Sequence, residues 1–249
     1  MISIKNEKEL EIMKRCGQIA VNVMEKVLQL AKPGVSKVEL DKIAAYEIER
    51  LGGEPSFTTV EGYFWPTCIT VNSEVVHGIP SDYVLKEGDL VSIDLGVVLA
   101  GLHTDCARTI CLGEPTNQIK KFIVAGQKAL NVSISQACAG YHIRDISAAI
   151  QKTIESAGFS VVRALVGHGI GRQLHEDPQI PGFVTANIGP KLEPGMTLAI
   201  EAIYTAGSPD VAVKPDGWTI ETRDGSLGGL FEDTVAVTQS GPVILTRKN

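Results

Sequence analysis

The apolar pattern of this chain runs twice through the same order, a pair of helices followed by several strands. The first helix is predicted to begin at Asn6, a capping residue with Glu9 at the third helical position, and to end at Pro33-Gly34. The second begins with a capping-box pattern at Ser36 and stops at Gly52-Gly53. This order favours an α+β fold built from two similar halves, although no repeat of residues is visible.

The rest of the chain is interpreted from the same periodicities, because alternation predicts strands and a helical apolar stripe predicts helices. Helices are predicted at 116–139 and 143–157, and strands at 68–71, 90–95, 104–112, 160–166, 197–204, 231–238 and 243–246. The Gly/Pro-rich segment 178–195 is predicted to form loops inside the second half, not a linker. We therefore expect residues 1–249 to form a single domain.

Composition narrows the function classes. The net charge is −6 and no run of Lys or Arg forms a basic stripe, so no nucleic-acid footprint is evident. The five cysteines include no CxxC pair, and we interpret them as free thiols in a reducing compartment. The N-terminus lacks the apolar core of a signal peptide, and no apolar run reaches about 18 residues. We expect no membrane partner and a cytoplasmic location.

Two aspartates flank a predicted hairpin. With its tip at Leu99-Ala100, counting outward places Asp94 opposite Asp105 on one sheet face, where paired Cβ atoms are about 4.5–5.5 Å apart. Two carboxylates at that distance repel unless a cation lies between them or one holds a proton. A pair of solvated strand-end charges is the simpler interpretation, and a bulge at Gly101 would shift the register by one.

Three later segments carry ligand-type side chains. The alternating glycines of segment 167–171 disfavour a helix through His168, and His175 follows in the same loop. Glu201 is the one charge in an apolar strand, where a buried carboxylate needs a partner. Glu232 and Asp233 lie on opposite faces of a later strand, and the pattern leaves open which is functional. Structural hydrogen bonding for the histidines and an edge-strand position for Glu201 are the alternatives.

Together these residues form an oxygen-rich set of carboxylates with an imidazole. Such a set suits divalent cations such as Mn, Fe, Co or Zn better than a structural zinc site, which favours thiolates and imidazoles. A dinuclear phosphoesterase would use similar ligands, but it would also need Arg or Lys for the phosphate, and the motifs contain few. The spacing leaves open whether these distant segments meet.

Six motifs, in order along the chain, resemble those of type I methionine aminopeptidases. They are His77-Gly78-Ile79-Pro80, Ser92-Ile93-Asp94-Leu95-Gly96, Thr104-Asp105, the segment from Gly167 to Pro178, Ile200-Glu201 and Glu232-Asp233-Thr234, with Asp-Gly-Trp-Thr at 216–219 as a further match. Order and spacing match over almost the whole chain. The resemblance implies the pita-bread fold, in which two pseudo-symmetric αβ halves surround a central metal site in a single catalytic metallopeptidase domain.

The resemblance also implies a ligand set for two divalent metal ions. Asp105 and Glu232 would bridge both ions. Asp94 would complete the shell of one ion, and His168 and Glu201 that of the other. A water bridging two such ions loses a proton near neutral pH, and the resulting hydroxide would attack the first peptide bond.

Catalytic and pocket residues follow from the same resemblance. Glu201 would act as general base, His175 would help to stabilise the oxyanion, and His77 would contact the backbone of the second residue and help the leaving amine depart. The methionine side chain would lie near four residues, and aromatic and sulfur-containing groups suit a thioether. These four are Tyr63, Cys68, His77 and Trp218.

The function implied is removal of the N-terminal methionine from peptides and nascent proteins, by a monomer that could associate with the ribosome. One alternative is a same-fold enzyme that cleaves before proline, although such enzymes usually carry a large extra N-terminal domain. Another is a non-catalytic peptide-binding relative. Two departures from the family pattern affect the substrate pocket: Leu174 stands where Phe is usual, and segment 58–66 differs from the usual tyrosine-rich loop.

Overall fold

The computed structural model of the protein describes residues 2–248. Each half of the molecule begins with a pair of helices. The helices are α1 (Glu7–Leu30), α2 (Lys37–Arg50), α3 (Asn117–Ile134) and α4 (Ile143–Ser156). Both predicted capping boxes are present, at Asn6 and at Ser36. The third helix is shorter than predicted, because the chain leaves it at Ser135 and turns through Gly140, which has a φ of 94°.

Ten strands form one large sheet and three form a small one. The strands are β1 (Glu54–Pro55), β2 (Thr67–Val71), β3 (Glu74–Val76), β4 (Leu90–Leu99), β5 (Leu102–Cys111), β6 (Ser160–Val161), β7 (Val166–Gly169), β8 (Glu176–Pro181), β9 (Thr197–Thr205), β10 (Val211–Val213), β11 (Ile220–Thr222), β12 (Gly228–Thr238) and β13 (Gly241–Ile244). The large sheet runs β1-β4-β5-β12-β9-β7-β8, with β2 beside β4, β6 beside β9 and β13 beside β12. The small sheet runs β10-β11-β3.

Two predictions for the second half were wrong. The segment 160–166 is not one strand, because β6 pairs with β9 and the chain then loops before β7. The predicted loop region 178–195 begins inside a strand, because β8 pairs with β7 despite its two prolines. Edge strands tolerate proline because its missing N–H can face away from the neighbour, and β8 is the last strand of the sheet order.

The helices cover one face of the large sheet. Helix α1 contacts β4 and β5, and α3 contacts β9 and β12. Apolar strand residues on that face pack beneath them, such as Ile93 and Leu95 under the first pair and Ile200 and Phe231 under the second. Because successive strand residues point to opposite faces, the intervening positions of the same strands face away from the helices. The candidate site lies on that second face.

The strand register relates the two halves by an approximate two-fold axis between β5 and β12. Asp94 pairs with Ala107, Ala107 with Glu232, and Glu232 with Glu201. A rotation that exchanges β5 with β12 therefore exchanges Ala107 with Glu232 and Asp94 with Glu201. The two predicted halves are confirmed at the level of strand register, where the residues themselves had shown no repeat.

The register of the Asp94–Asp105 hairpin corrects one prediction. The tip is Ala100-Gly101, with φ of 51° and 75°, and Leu99 pairs with Leu102. Two positive φ values in a two-residue turn are typical of the hairpin type that matches strand twist. Asp94 therefore faces Ala107, not Asp105, and the ladder runs without a bulge at Gly101. The error of two residues keeps both aspartates on one face, as diagonal neighbours.

All five cysteines are free thiols. Across residues 2–248 no helix combines the length and the apolar character that crossing a membrane would require.

Candidate active site

Three acidic side chains lie in one row across the centre of the sheet. The row runs from Asp94 on β4 through Ala107 on β5 and Glu232 on β12 to Glu201 on β9. Residues paired across antiparallel strands point to the same face, so the three carboxylates share it. Asp105 stands two residues from Ala107 on the same face of β5, and the small Ala107 side chain leaves the middle of the row open.

His168 lies on the same face, on β7, where it pairs with Ala199, two residues from Glu201 on β9. Ligand atoms of Asp105, His168 and Glu232 all lie within 4.8 Å of one another. The His168 Nδ1 lies 2.9 Å from the Gly169 carbonyl oxygen and must donate to it, so the Nε2 lone pair remains available to a metal. A Cβ on Gly167 would lie only 2.6 Å from the Ala199 carbonyl oxygen, which explains glycine at this close approach.

The four carboxylates share a site that holds too little positive charge for them. Within residues 2–248, Asp94 Oδ1, Asp105 Oδ1 and Glu232 Oε1 are buried without a hydrogen-bond partner. Burial raises the pKa of Asp105 to about 7 and, with the Asp105 charge second, raises that of Glu201 to about 8. Burial followed by the neighbouring carboxylates raises the pKa of Asp94 and Glu232 as well. Unpartnered buried carboxylates of this kind fit divalent cations.

Asp233 is excluded from this set by its direction. It points to the helix face, where its buried carboxylate lies 2.6 Å from the Arg108 Nη2 and 2.7 Å from the Arg247 Nη2. The hydroxyl of Thr246 also donates to it, at 2.9 Å. Of the two acids between which the sequence left the choice open, Glu232 is therefore the one that lies on the face of the candidate site.

A cavity of about 840 Å³ opens above the row, and every residue predicted for the site lines it. His77 follows β3 with a φ of 55°, a strained value for a non-glycine residue that is often found at functional sites. Burial, with His175 second, lowers the pKa of His77 to about 4. The rings of His168 and His175 stand edge to face, 4.5 Å apart. The imidazoles of His77 and His175 therefore border the space above the carboxylates.

Aromatic side chains form one wall of the cavity. The Tyr63 ring lies 5.1 Å from that of Trp218 and 6.4 Å from that of Phe57, both edge to face. The Tyr63 hydroxyl donates to the Thr67 carbonyl oxygen at 2.8 Å and lies 3.1 Å from Cys68 Sγ. Leu174 is buried in the same cluster. Phe57 was missed in the sequence because it stands in a short 3₁₀ turn that gives no periodic signal.

A buried ion pair beneath the His175 loop was also missed. Glu176 Oε1 accepts the backbone N–H of Arg172 at 2.6 Å and that of Gln173 at 3.1 Å, while its Oε2 pairs with Lys5 Nζ at 2.5 Å. This pair ties the N-terminal segment to the loop that carries His175. Lys5 gives no local signal, because its partner is 171 positions away.

Comparison with known proteins agrees with this geometry. The family model for metallopeptidase family M24 matches residues 11–239. A methionine aminopeptidase of Clostridium perfringens is 44% identical over 246 residues, and the match covers 99% of each chain. The chain belongs to the methionine aminopeptidases of family M24. The predicted family and pita-bread fold are confirmed, and the protein is a hydrolase of the metallo-aminopeptidase class.

Solved structures give the same result. A methionine aminopeptidase from Thermotoga maritima superposes with a TM-score of 0.97 at 41% identity, over 100% of both chains. A prolidase from Pyrococcus furiosus superposes with a TM-score of 0.81 at 25% identity, over 99% of this chain but only 66% of that one. The methionine aminopeptidases therefore match this chain over their whole length, whereas the prolidase shares the fold and extends beyond it.

Proposed function

We propose that this protein removes the N-terminal methionine from peptides and nascent proteins with two divalent ions. The ions would be held by Asp94, Asp105, His168, Glu201 and Glu232. The supporting observation is a group of four carboxylates and one imidazole, with three buried oxygens unpartnered among the described residues, at the floor of an open cavity. Asp105 and Glu232 come from the two central strands and would bridge the ions, while Asp94 and the pair His168 and Glu201 lie on either side.

The protein's own side chains divide the remaining work. When bound, the ions supply Lewis-acid chemistry, which acidifies water and polarises the first peptide carbonyl. Glu201 is the least buried of the four candidate ligand carboxylates, all of which line the cavity, so we assign to it the proton of the attacking water. His175, beside His168, donates to the developing oxyanion. His77 contacts the backbone of the second residue and helps the leaving amine to depart.

The substrate side chain would lie against the aromatic wall. Tyr63 and Trp218 present ring edges and faces, and Cys68 adds a polarisable sulfur, which suits a thioether. Leu174 stands in the same wall and leaves more room there than the phenylalanine that is usual in the family. We therefore propose a preference for methionine that is less strict than the catalytic chemistry itself.

The setting of this activity follows from the cysteines and from the family resemblance. Five free thiols are consistent with a reducing compartment, so we place the protein in the cytoplasm, as a single catalytic domain that acts as a monomer. Its partner is a peptide or nascent-chain N-terminus. Ribosome association stays a prediction from the family resemblance.

The test is a peptide assay combined with metal analysis. With Mn²⁺ or Co²⁺, a Met-Ala-Ser peptide should lose its methionine, a chelator should stop the reaction, and the loaded protein should contain two ions per chain. The same peptide with an acetylated amine is the control and should stay intact. No turnover with any divalent metal would favour a peptide-binding protein, and cleavage of Ala-Pro but not Met-Ala peptides would favour a proline-directed enzyme.

A further inference from the structure

The two halves meet at the seam between β5 and β12, which is short. Direct pairing is confined to Ala107 with Glu232 and Cys106 with Asp233. Beyond each end of this ladder, a buried threonine hydroxyl takes the place of backbone pairing. The two threonines are Thr109 and Thr234, which the two-fold axis exchanges.

Thr234 stands opposite Asp105, and its own backbone is used elsewhere. Its N–H donates to the Thr246 hydroxyl at 3.0 Å, and its carbonyl oxygen accepts the Leu245 N–H at 2.9 Å. Its hydroxyl instead accepts the Asp105 N–H at 2.8 Å and donates to the Asp105 carbonyl oxygen at 2.8 Å. One fully buried oxygen therefore fixes the backbone of Asp105 on this side.

Thr109 makes the matching contact on the other side of the axis. Its hydroxyl accepts the Leu230 N–H at 3.1 Å and donates to the Leu230 carbonyl oxygen at 2.7 Å. Ser92 Oγ lies 2.7 Å from Thr109 Oγ1 and donates to it, because the Thr109 proton is used on Leu230. The two contacts are alike in geometry, but one holds a candidate metal ligand and the other holds an apolar residue.

We propose that Thr234 is a positioning residue for the metal centre, whose hydroxyl fixes the Asp105 backbone and through it a carboxylate that would hold the ions. This inference rests on the proposed function, because it requires Asp105 to be a ligand. A bridging carboxylate has to satisfy two ions at once, so small displacements of its backbone cost affinity. Thr109 holds the seam in the same way without touching a ligand.

The experiment compares Thr234→Val with Thr109→Val, since valine keeps the shape of threonine and replaces only the hydroxyl, with a methyl group. The probe is Co²⁺ alone, titrated calorimetrically without peptide, and urea unfolding of the metal-free proteins reports their stability. Both variants should lose stability. Only Thr234→Val should also bind Co²⁺ more weakly, by about 10-fold to 100-fold. Thr234→Ser restores the hydroxyl and should restore the affinity.

The outcomes separate the two proposals. If the unchanged protein binds no Co²⁺, the metal site of the proposed function is wrong. If it binds, and the two valine variants bind equally well or are weakened equally, Thr234 is only structural and the positioning role is overturned. Thr234→Ser that stays as weak as Thr234→Val would overturn it too. Should a valine variant fail to fold, the alanine pair, which also lacks the hydroxyls, gives the same comparison.

Discussion

The two halves of this molecule share a scaffold but divide the chemistry unequally. On the site face of strands β4, β5, β12 and β9, two-fold-related positions carry an acid in both halves only at Asp94 and Glu201. At the other related positions of that face an acid corresponds to a small or apolar residue, as Glu232 corresponds to Ala107. The first half thus supplies two candidate ligands and the second half three. A fully symmetric site would crowd the row with carboxylates, whereas the missing acids leave room for ions and substrate.

The related acids also differ in access. Both line the cavity, but Asp94 is 8% exposed and has Cys68 of β2 as its other strand partner, whereas Glu201 is more exposed. Symmetry of the backbone therefore does not impose symmetry of role. A pair of matched substitutions can test whether Asp94 only holds an ion while Glu201 also moves a proton.

The largest expected effect is a difference in turnover between Glu201→Gln and Asp94→Asn. Both changes keep shape and remove a charge, so both should weaken metal binding. Raising Mn²⁺ should recover much of the turnover of Asp94→Asn, but Glu201→Gln should stay about 10²-fold to 10⁴-fold slower because it lacks the general base. The measurement is kcat on Met-Ala-Ser at increasing Mn²⁺, with circular dichroism as the folding control. Recovery of Glu201→Gln to the same extent would rule Glu201 out as the base.

The sequence predicted the two halves and the shared face of the two aspartates, but not which acid of β12 belongs to the site. The order of elements predicted two halves, and hairpin counting put Asp94 and Asp105 on one face even with the wrong turn, because an error of two residues preserves the face. Which of Glu232 and Asp233 is functional was not predictable. Alternation shows only that they oppose each other, and the arginines that bind Asp233 come from β5 and the C-terminal segment.

Contacts over long sequence separations account for the rest. The Lys5–Glu176 pair and the Thr234 contact to Asp105 depend on strands and loops brought together by the whole fold, and neither leaves a local pattern. The convergence of the five ligand residues was likewise implied by the family resemblance and not by spacing.

A second prediction rests on the difference between the carboxylates of the candidate metal site and Asp233. The charge of Asp233 is neutralised by two arginines of the chain, whereas the site carboxylates would be neutralised by bound ions. In metal-free protein, burial raises the folded-state pKa of Asp105 to about 7 and of Glu201 to about 8, well above their unfolded values near 4. The folded state therefore holds protons that the unfolded state releases. This stabilisation is fully present below pH 4 and is lost as the pH rises through about 7 to 8.

Chelated protein should accordingly lose about 3 kcal/mol or more of unfolding free energy between about pH 5 and pH 8.5. Urea unfolding with a chelator measures the loss, and the same series with saturating Mn²⁺ should show little of it, because the ions bind only the folded state. A chelated protein as stable at the higher pH as at the lower one would mean that burial does not raise the pKa of Asp105 and Glu201 in the folded state.

The smallest effect concerns the substrate pocket, to which both halves contribute. Leu174 of the second half is 5% exposed and packs in the cluster that contains Tyr63 of the first. Leu174→Phe should narrow the pocket and raise the preference for Met-Ala-Ser over Leu-Ala-Ser, measured as the ratio of kcat/KM, by about 10-fold or less. Co²⁺ affinity should not change.

The control is Leu245→Phe, because Leu245 lies in the same cluster but does not line the cavity, so this variant reports the effect of overpacking alone. An equal shift in both variants would show that the preference for methionine does not depend on position 174.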